Sequence, residues 1–196
     1  LGKQFELTDT GKLKPHFNNA CLVIDTFDPT VRHNSFSERT FVGDEELSDV
    51  VLNRLRIKAF DNFDCVSFSA KDMRDAAITI AEKNAYNPVQ DYFNALPPHD
   101  GVERAETIFI DNLLVDDTQL SRLLTRKWLL AIMTRTFNPG CEFDHALFLT
   151  GNEGTGKTSI LTALAINPSW RAEVTSTKTD KVEEAIKGTI IAELSE

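Results

Sequence analysis

A glycine-rich run late in the sequence has the residue types needed to bind phosphate groups. Residues 151–158 read Gly-Asn-Glu-Gly-Thr-Gly-Lys-Thr, which fits the pattern G-x-x-x-x-G-K-[ST] in order. The glycines let successive N–H groups turn toward phosphate oxygens, Lys157 reaches the β- and γ-phosphates, and the Thr158 hydroxyl can bind Mg²⁺. The pattern therefore predicts a site for a nucleoside triphosphate. The expected nucleotide contacts are Gly151, Asn152, Glu153, Gly154, Thr155, Gly156, Lys157, Thr158 and Ser159.

The residues on either side of this loop predict the elements that position it. Residues 146–149 form a short apolar run without alternation, which is typical of a strand buried on both faces of a parallel sheet. Residues 157–166 carry apolar side chains at helical spacing, and Asn167-Pro168 ends that pattern. We therefore expect the loop to precede a helix N-terminus, where unpaired N–H groups and the helix dipole favour an anion.

A second nucleotide-binding element is predicted at residues 188–196. Three apolar residues precede Glu193, and a second acid, Glu196, follows three positions later. This Walker B pattern predicts a strand whose end places a carboxylate beside Thr158, so we expect Thr158 and Glu193 to bind Mg²⁺. The expected catalytic residues are Lys157, Glu193 and Glu196. The sequence leaves open which glutamate binds the metal and which orients the attacking water, and an ordinary edge strand ending in Glu has a similar pattern.

The composition is that of a compact, soluble protein of one or two domains. The 196 residues are 41% hydrophobic and 26% charged, and no apolar stretch approaches the length of a membrane span. Three widely spaced cysteines and the lack of a signal peptide fit a reduced, cytoplasmic setting, and neither the cysteines nor the four histidines have the spacing of a zinc site. The net charge of −9 argues against a broad basic surface, so any DNA contact must be local or made by other parts of the protein.

The chain begins without Met and stops inside the predicted Walker B strand, so we expect a piece of a longer protein. An ATPase needs further strands, a residue that senses the γ-phosphate and usually an arginine finger. We therefore expect this piece to bind nucleotide and not to turn it over alone.

The first 140 residues predict mainly helices. The expected helices cover residues 17–27, 45–58, 70–84, 88–96, 105–114 and 118–136, with a small hairpin around Ser37-Glu38. A turn cluster at residues 97–101 predicts a joint between subdomains. The predicted fold class is an α/β phosphate-loop NTPase core with parallel strands, truncated, and preceded by a mainly α-helical N-terminal region. The predicted divisions are residues 1–100 (helical, with the hairpin), 101–140 (a helical lead-in) and 141–196 (the N-terminal part of the NTPase domain).

The helix expected at residues 118–136 has an apolar and a basic side. Leu120, Leu124, Trp128 and Ile132 recur every four residues and predict a buried stripe. The basic residues are Arg122, Arg126, Lys127 and Arg135. Either they face DNA or the nucleotide of a neighbouring subunit, or they form a solvated face paired with acids, which is the commoner case.

Several blocks outside the phosphate loop resemble one protein family. They are Asn87-Pro88-Val89-Gln90-Asp91-Tyr92-Phe93, Asp100-Gly101, Arg126-Lys127-Trp128-Leu129 and Pro139-Gly140-Cys141-Glu142-Phe143-Asp144. Together with the loop and residues 188–196 they resemble the virulence-associated protein E family, whose members are similar to the helicase part of phage and plasmid primase-helicases. The phosphate loop alone is generic, whereas the Pro-Val-x-x-Tyr and Arg-Lys-Trp blocks are specific.

This resemblance implies an ATP-driven DNA helicase of phage or mobile-element replication, similar to superfamily 3 and AAA+ motors. It implies ATP and Mg²⁺ as cofactors, single-stranded or forked DNA as a partner of the longer protein, and a homo-oligomeric ring, possibly a hexamer. The family roles transfer to Gly151, Gly156, Lys157 and Thr158 as phosphate and Mg²⁺ contacts, and to Glu193 and Glu196 as the acidic strand end. We expect no membrane partner.

Two other classes of function stay open. A phosphate-loop signalling or defence ATPase would act on a protein partner and would be indifferent to DNA. A non-enzymatic interaction module would keep the fold with a nucleotide site that no longer works.

Overall fold

This computed structural model describes residues 4–63, 65–175 and 178–194. The chain divides into two compact units, Leu1–Pro88 and Val89–Glu196. The division comes earlier than the joint that the turn cluster at residues 97–101 predicts. Among the described residues, no helix combines the length and apolar character that crossing a membrane requires.

The first unit combines helices with a small antiparallel sheet. The strand order is β1-β2-β3, with Val31 opposite Val42 and Phe41 opposite Glu46. The hairpin predicted around Ser37-Glu38 is therefore confirmed, and Glu38 takes the left-handed conformation in its turn (φ 56°). The elements in chain order are α1 (Phe17–Phe27), β1 (Val31–Asn34), β2 (Arg39–Val42), β3 (Glu45–Glu46), α2 (Asp49–Asn62) and α3 (Ala70–Lys83).

Helix α3 lies at the centre of the core of the first unit. The helix predicted at residues 70–84 is confirmed, and it carries an apolar stripe of which every member is buried. α3 packs against α1, α2 and the strand β1, and side chains from those elements complete the cluster. The stripe consists of Met73, Ala76, Ala77, Ile80 and Ala81.

Serine hydroxyl groups fix the N-termini of the two longer helices in this unit. Ser69 accepts a hydrogen bond from the Asp72 N–H (3.0 Å) and donates one to the Asp72 carboxylate (2.7 Å). Ser48 accepts from the Val51 N–H (3.3 Å), so α2 begins at Asp49. The prediction that this helix begins at residue 45 is wrong, because Glu45–Glu46 pairs with β2 as a strand.

The second unit contains the glycine-rich loop. After the loop and α7, the chain passes through a 3-10 turn into a parallel β-α-β arrangement. β4 and β5 pair with Arg171 opposite Ile191 and Val174 opposite Leu194. The strand β5 was predicted from the sequence, whereas β4 and α8 were not. The elements are α4 (Pro88–Asn94), α5 (Ile108–Leu113), α6 (Gln119–Phe137), α7 (Lys157–Leu164), the 3-10 turn (Pro168–Trp170), β4 (Arg171–Val174), α8 (Thr179–Ile186) and β5 (Ile191–Leu194).

The expected strand at residues 146–149 is absent from the described structure. These residues have no regular secondary structure, and in the described part of the chain no strand pairs with them. Phe148 is 85% exposed, so the run is not buried on both faces. An apolar run of four residues becomes a strand only when a neighbour supplies the ladder hydrogen bonds. The prediction of this element is therefore wrong for this structure.

The predicted buried stripe on α6 is also wrong in part. Leu120 and Leu124 are 63% and 47% exposed, whereas Thr125, Ala131 and Thr136 are the buried residues. Thr125 can be buried because its hydroxyl donates to the Ser121 carbonyl within the helix (2.7 Å). The buried face of α6 is therefore not the face that carries the predicted leucine stripe.

Candidate phosphate-binding site

The glycine-rich loop ends directly at the N-terminus of α7. Gly154 and Gly156 have φ angles of 77° and 86°, which a residue with a Cβ adopts only at a cost. Gly156 is the N-cap of α7 and no side chain caps this helix. The N–H groups of its first turn therefore lack an intrahelical acceptor, and such groups are the donors that an anion site uses.

The Lys157 ammonium group is folded back onto this loop. Its Nζ donates to the carbonyl oxygens of Gly151 and Asn152, each at 2.8 Å. The Thr155 hydroxyl donates to the same Asn152 carbonyl at 2.9 Å and lies 3.4 Å from the ammonium. The Lys157 ammonium group is therefore held against the loop backbone, where a bound phosphate would need a cation.

Thr158 and Glu193 meet although 35 residues separate them in the sequence. The Thr158 hydroxyl donates to Glu193 Oε1 at 3.1 Å, which joins the first turn of α7 to the strand β5. The structure therefore brings together the two residues in which the sequence places a Mg²⁺ site. Glu196, the second predicted acid, lies outside the described residues.

Arg171 is a member of this site that the sequence reasoning missed. Its guanidinium donates to Glu193 Oε2 from the first residue of β4. The side chains of Arg171 and Glu193 are only 19% and 18% exposed. Arg171 belongs to no sequence motif. The pairing of β4 with β5 brings Arg171 next to Glu193, so Arg171 could have been found from the sequence only if β4 had been predicted.

The remaining predicted nucleotide contacts are exposed to solvent. Asn152 and Glu153 are exposed, as are Thr155 and Ser159. Their side chains are therefore accessible to solvent, and Asn152 contributes its backbone carbonyl to Lys157.

The donors at this site fit Mg²⁺ in the way that nucleotide sites use it. Mg²⁺ takes oxygen ligands and is usually held by one or two protein groups together with substrate phosphates and waters. Thr158 Oγ1 and Glu193 Oε1 are two adjacent oxygens of this kind. Among the described residues there is no cluster of three or more His, Cys, Asp or Glu side chains that could hold a metal without phosphates.

Two of the basic side chains on α6 are paired with carboxylates. Arg122 Nε lies 2.7 Å from Asp117, and an Arg126 nitrogen lies 2.9 Å from Glu106. Lys127 Nζ lies 3.0 Å from the His145 ring. This pairing favours a solvated helix face over a surface kept free for DNA.

The second unit thus combines a glycine-rich loop, an uncapped helix N-terminus, and a parallel strand pair that delivers a carboxylate to the loop. The profile of the virulence-associated protein E-like domain matches residues 93–196, which is more than half of the chain and includes all these features. The chain belongs to the virulence-associated protein E-like domain family. Comparison with curated proteins found no significant match.

Proposed function

We propose that this protein binds ATP with Mg²⁺ at residues 151–158. The observation that carries the proposal is the contact between Thr158 and Glu193 beside an uncapped helix N-terminus and a glycine-rich loop. Loop, hydroxyl and carboxylate are the three parts that phosphoryl-transfer sites of this class combine.

Each residue has a specific task in the proposed site. The N–H groups at the start of α7 bind phosphate oxygens, and Lys157 exchanges its two loop carbonyls for phosphate oxygens. Thr158 and Glu193 hold the metal, which when bound would neutralise charge on the phosphates. Glu196 or Glu193 orients the attacking water.

We further propose that the nucleotide site belongs to a DNA helicase of phage or mobile-element replication. Membership in the virulence-associated protein E-like family supports this assignment, together with the sequence resemblance to primase-helicases. In this proposal the longer protein forms a ring, possibly hexameric, and couples ATP hydrolysis to movement along single-stranded or forked DNA. The proposed setting is the cytoplasm.

The test is ATP hydrolysis by the full-length protein, with and without single-stranded DNA. Lys157→Ala removes the cation at the phosphates, so we expect hydrolysis to fall at least 100-fold, the scale of losing a key electrostatic contact. Lys181→Ala, which removes an exposed lysine from α8, is the matched control and should hydrolyse ATP normally.

The outcomes separate the alternatives. Stimulation by DNA that is lost in Lys157→Ala supports the helicase. Hydrolysis that ignores DNA would point instead to an ATPase acting on a protein partner. Full activity of Lys157→Ala would overturn the assignment of this loop, and failure of the wild type to bind Mg·ATP would leave an interaction module.

A further inference from the structure

Arg171 reaches Glu193 across the parallel pair of strands. The register places Arg171 opposite Ile191 and Glu173 opposite Glu193. Side chains two positions apart on a strand share a face, so Arg171 and Glu193 are diagonal neighbours on one face of the sheet. The contact follows from strand pairing and needs no unusual backbone.

The two oxygens of the Glu193 carboxylate have different partners. Oε1 accepts the Thr158 hydroxyl at 3.1 Å, whereas Oε2 accepts the Arg171 guanidinium. A carboxylate held at both oxygens has a fixed plane, and its Oε1 is directed at the start of α7. Without Arg171 the carboxylate would be free to turn about its last side-chain bond.

The Arg171 side chain is largely covered, and its nitrogens are not equally satisfied. Arg171 Nε is buried and has no hydrogen-bond partner among the described residues. A buried donor without a partner lowers the stability of the fold. The arginine therefore carries a cost at one nitrogen, while another nitrogen fixes the orientation of Glu193.

We propose that Arg171 is a positioning residue that orients Glu193 so that Oε1 faces the Mg²⁺ of the bound nucleotide. This inference rests on the proposed function, because it concerns the same nucleotide site. Arg171 also offsets the negative charge of Glu193, which would otherwise repel the phosphates. Arg171 itself touches neither the nucleotide nor the metal in this scheme.

The test measures the Mg²⁺ concentration that gives half-maximal binding of a fluorescent ATP analogue to the full-length protein. Groups that orient a metal ligand typically change metal affinity 10- to 100-fold when mutated. We therefore expect Arg171→Met to raise this concentration at least tenfold. Binding of the analogue in EDTA should stay unchanged, because the loop and Lys157 are intact.

Two further variants separate positioning from general damage. Arg104→Met removes another arginine that pairs with a carboxylate, Asp100, at an exposed position, and should leave the Mg²⁺ requirement unchanged. Arg171→Lys keeps the positive charge but lacks the planar guanidinium group, so we expect its Mg²⁺ requirement to lie between those of the wild type and Arg171→Met. If Arg171→Met fails to fold, as judged by circular dichroism, Arg171→Lys alone should still raise the Mg²⁺ requirement.

A double-mutant cycle with Glu193→Gln completes the test. In the Glu193→Gln background, Arg171→Met should have little further effect on the Mg²⁺ requirement, because both changes act through one carboxylate. Additive effects, or equal weakening of binding with Mg²⁺ and in EDTA, would overturn the positioning role and leave the proposed nucleotide site standing. A wild type that binds no nucleotide would overturn both.

Discussion

The Asp100 carboxyl group has a pKa that is shifted by its ion pair with Arg104. Two nitrogens of Arg104 donate to it at 3.0 and 2.8 Å, and the Val102 N–H donates at 3.0 Å. The hydrogen bonds from Arg104, followed by that from Val102, lower the pKa of Asp100 to about 2. Because the folded-state pKa is depressed, the pair stabilises the fold above the unfolded pKa, near 3.9. That contribution is lost as the pH falls through about 2, and exposure keeps it small.

We predict that Arg104→Met raises the pKa of Asp100 most of the way to the ordinary aspartate value. The Val102 hydrogen bond remains, so part of the depression should persist. The measurement is an NMR titration of the side-chain carboxyl carbon between pH 1.5 and 6. Arg122→Met, which removes the partner of Asp117, should leave the titration of Asp100 unchanged. An unshifted Asp100 in Arg104→Met would disprove the assigned cause.

The sequence was sufficient to predict some residues of the candidate site, but not others. Lys157 and Thr158 belong to a contiguous pattern, and Glu193 follows an apolar run, so local sequence points to all three. Arg171 has no such local mark. Its position depends on a register between two strands with a helix between them, and that information is not local.

Among the elements, α3 begins at a side-chain cap, Ser69. The reciprocal hydrogen bonds between Ser69 and Asp72 satisfy an N–H group that has no intrahelical acceptor. We predict that Ser69→Ala lowers the free energy of unfolding by about 1 kcal/mol. The measurement is urea denaturation followed by far-UV circular dichroism.

Ser67→Ala is the matched control for this element. Ser67 is exposed and precedes the helix, so its loss should change the free energy of unfolding by less than about 0.5 kcal/mol. Equal effects of the two substitutions would show that the Ser69 cap does not stabilise α3.

The helix α3 was predictable from its cap and its apolar spacing, whereas the strand β4 was not, because its formation depends on a partner strand. Ser69 and the apolar stripe of α3 identify that helix from sequence alone. The strand β4 begins with Arg171 and contains Glu173, so its composition does not suggest a strand. Conversely, residues 146–149 have the composition of a strand but no pairing partner in the described structure.

At the scale of the whole molecule, the main apolar cluster and the candidate site lie in different units. The main apolar cluster lies between Leu13 and Ala81 and is built entirely from the first unit. The candidate nucleotide site is built entirely from the second unit, within residues 151–193. Nucleotide binding should therefore stabilise the second unit directly.

We predict that Mg·ATP slows amide hydrogen exchange in peptides from residues 151–165 and 190–194. At a hundredfold excess over the dissociation constant, a ligand stabilises the state that binds it by about 2.7 kcal/mol, or about 100-fold in exchange rate. Peptides from α1 and α3 should exchange unchanged. The measurement is exchange followed by mass spectrometry on the full chain.

Lys157→Ala is the control for this measurement and should show no slowing with Mg·ATP. Slowing in this variant equal to that in the wild type would place the nucleotide elsewhere. Protection confined to α1 and α3 would contradict the assignment of the site to the second unit.

The sheet of the first unit ends on one side at the short strand β3. An open sheet edge is a template for adding a further strand, which is a common route to aggregation. Here the edge strand is two residues long and both are glutamates, held by Arg54 and Arg39. The hydrogen bond and the positive charge of Arg54 lower the pKa of Glu45, which favours the charged form of this carboxylate. Two ion-paired glutamates on so short a strand make this edge a poor template for a further strand.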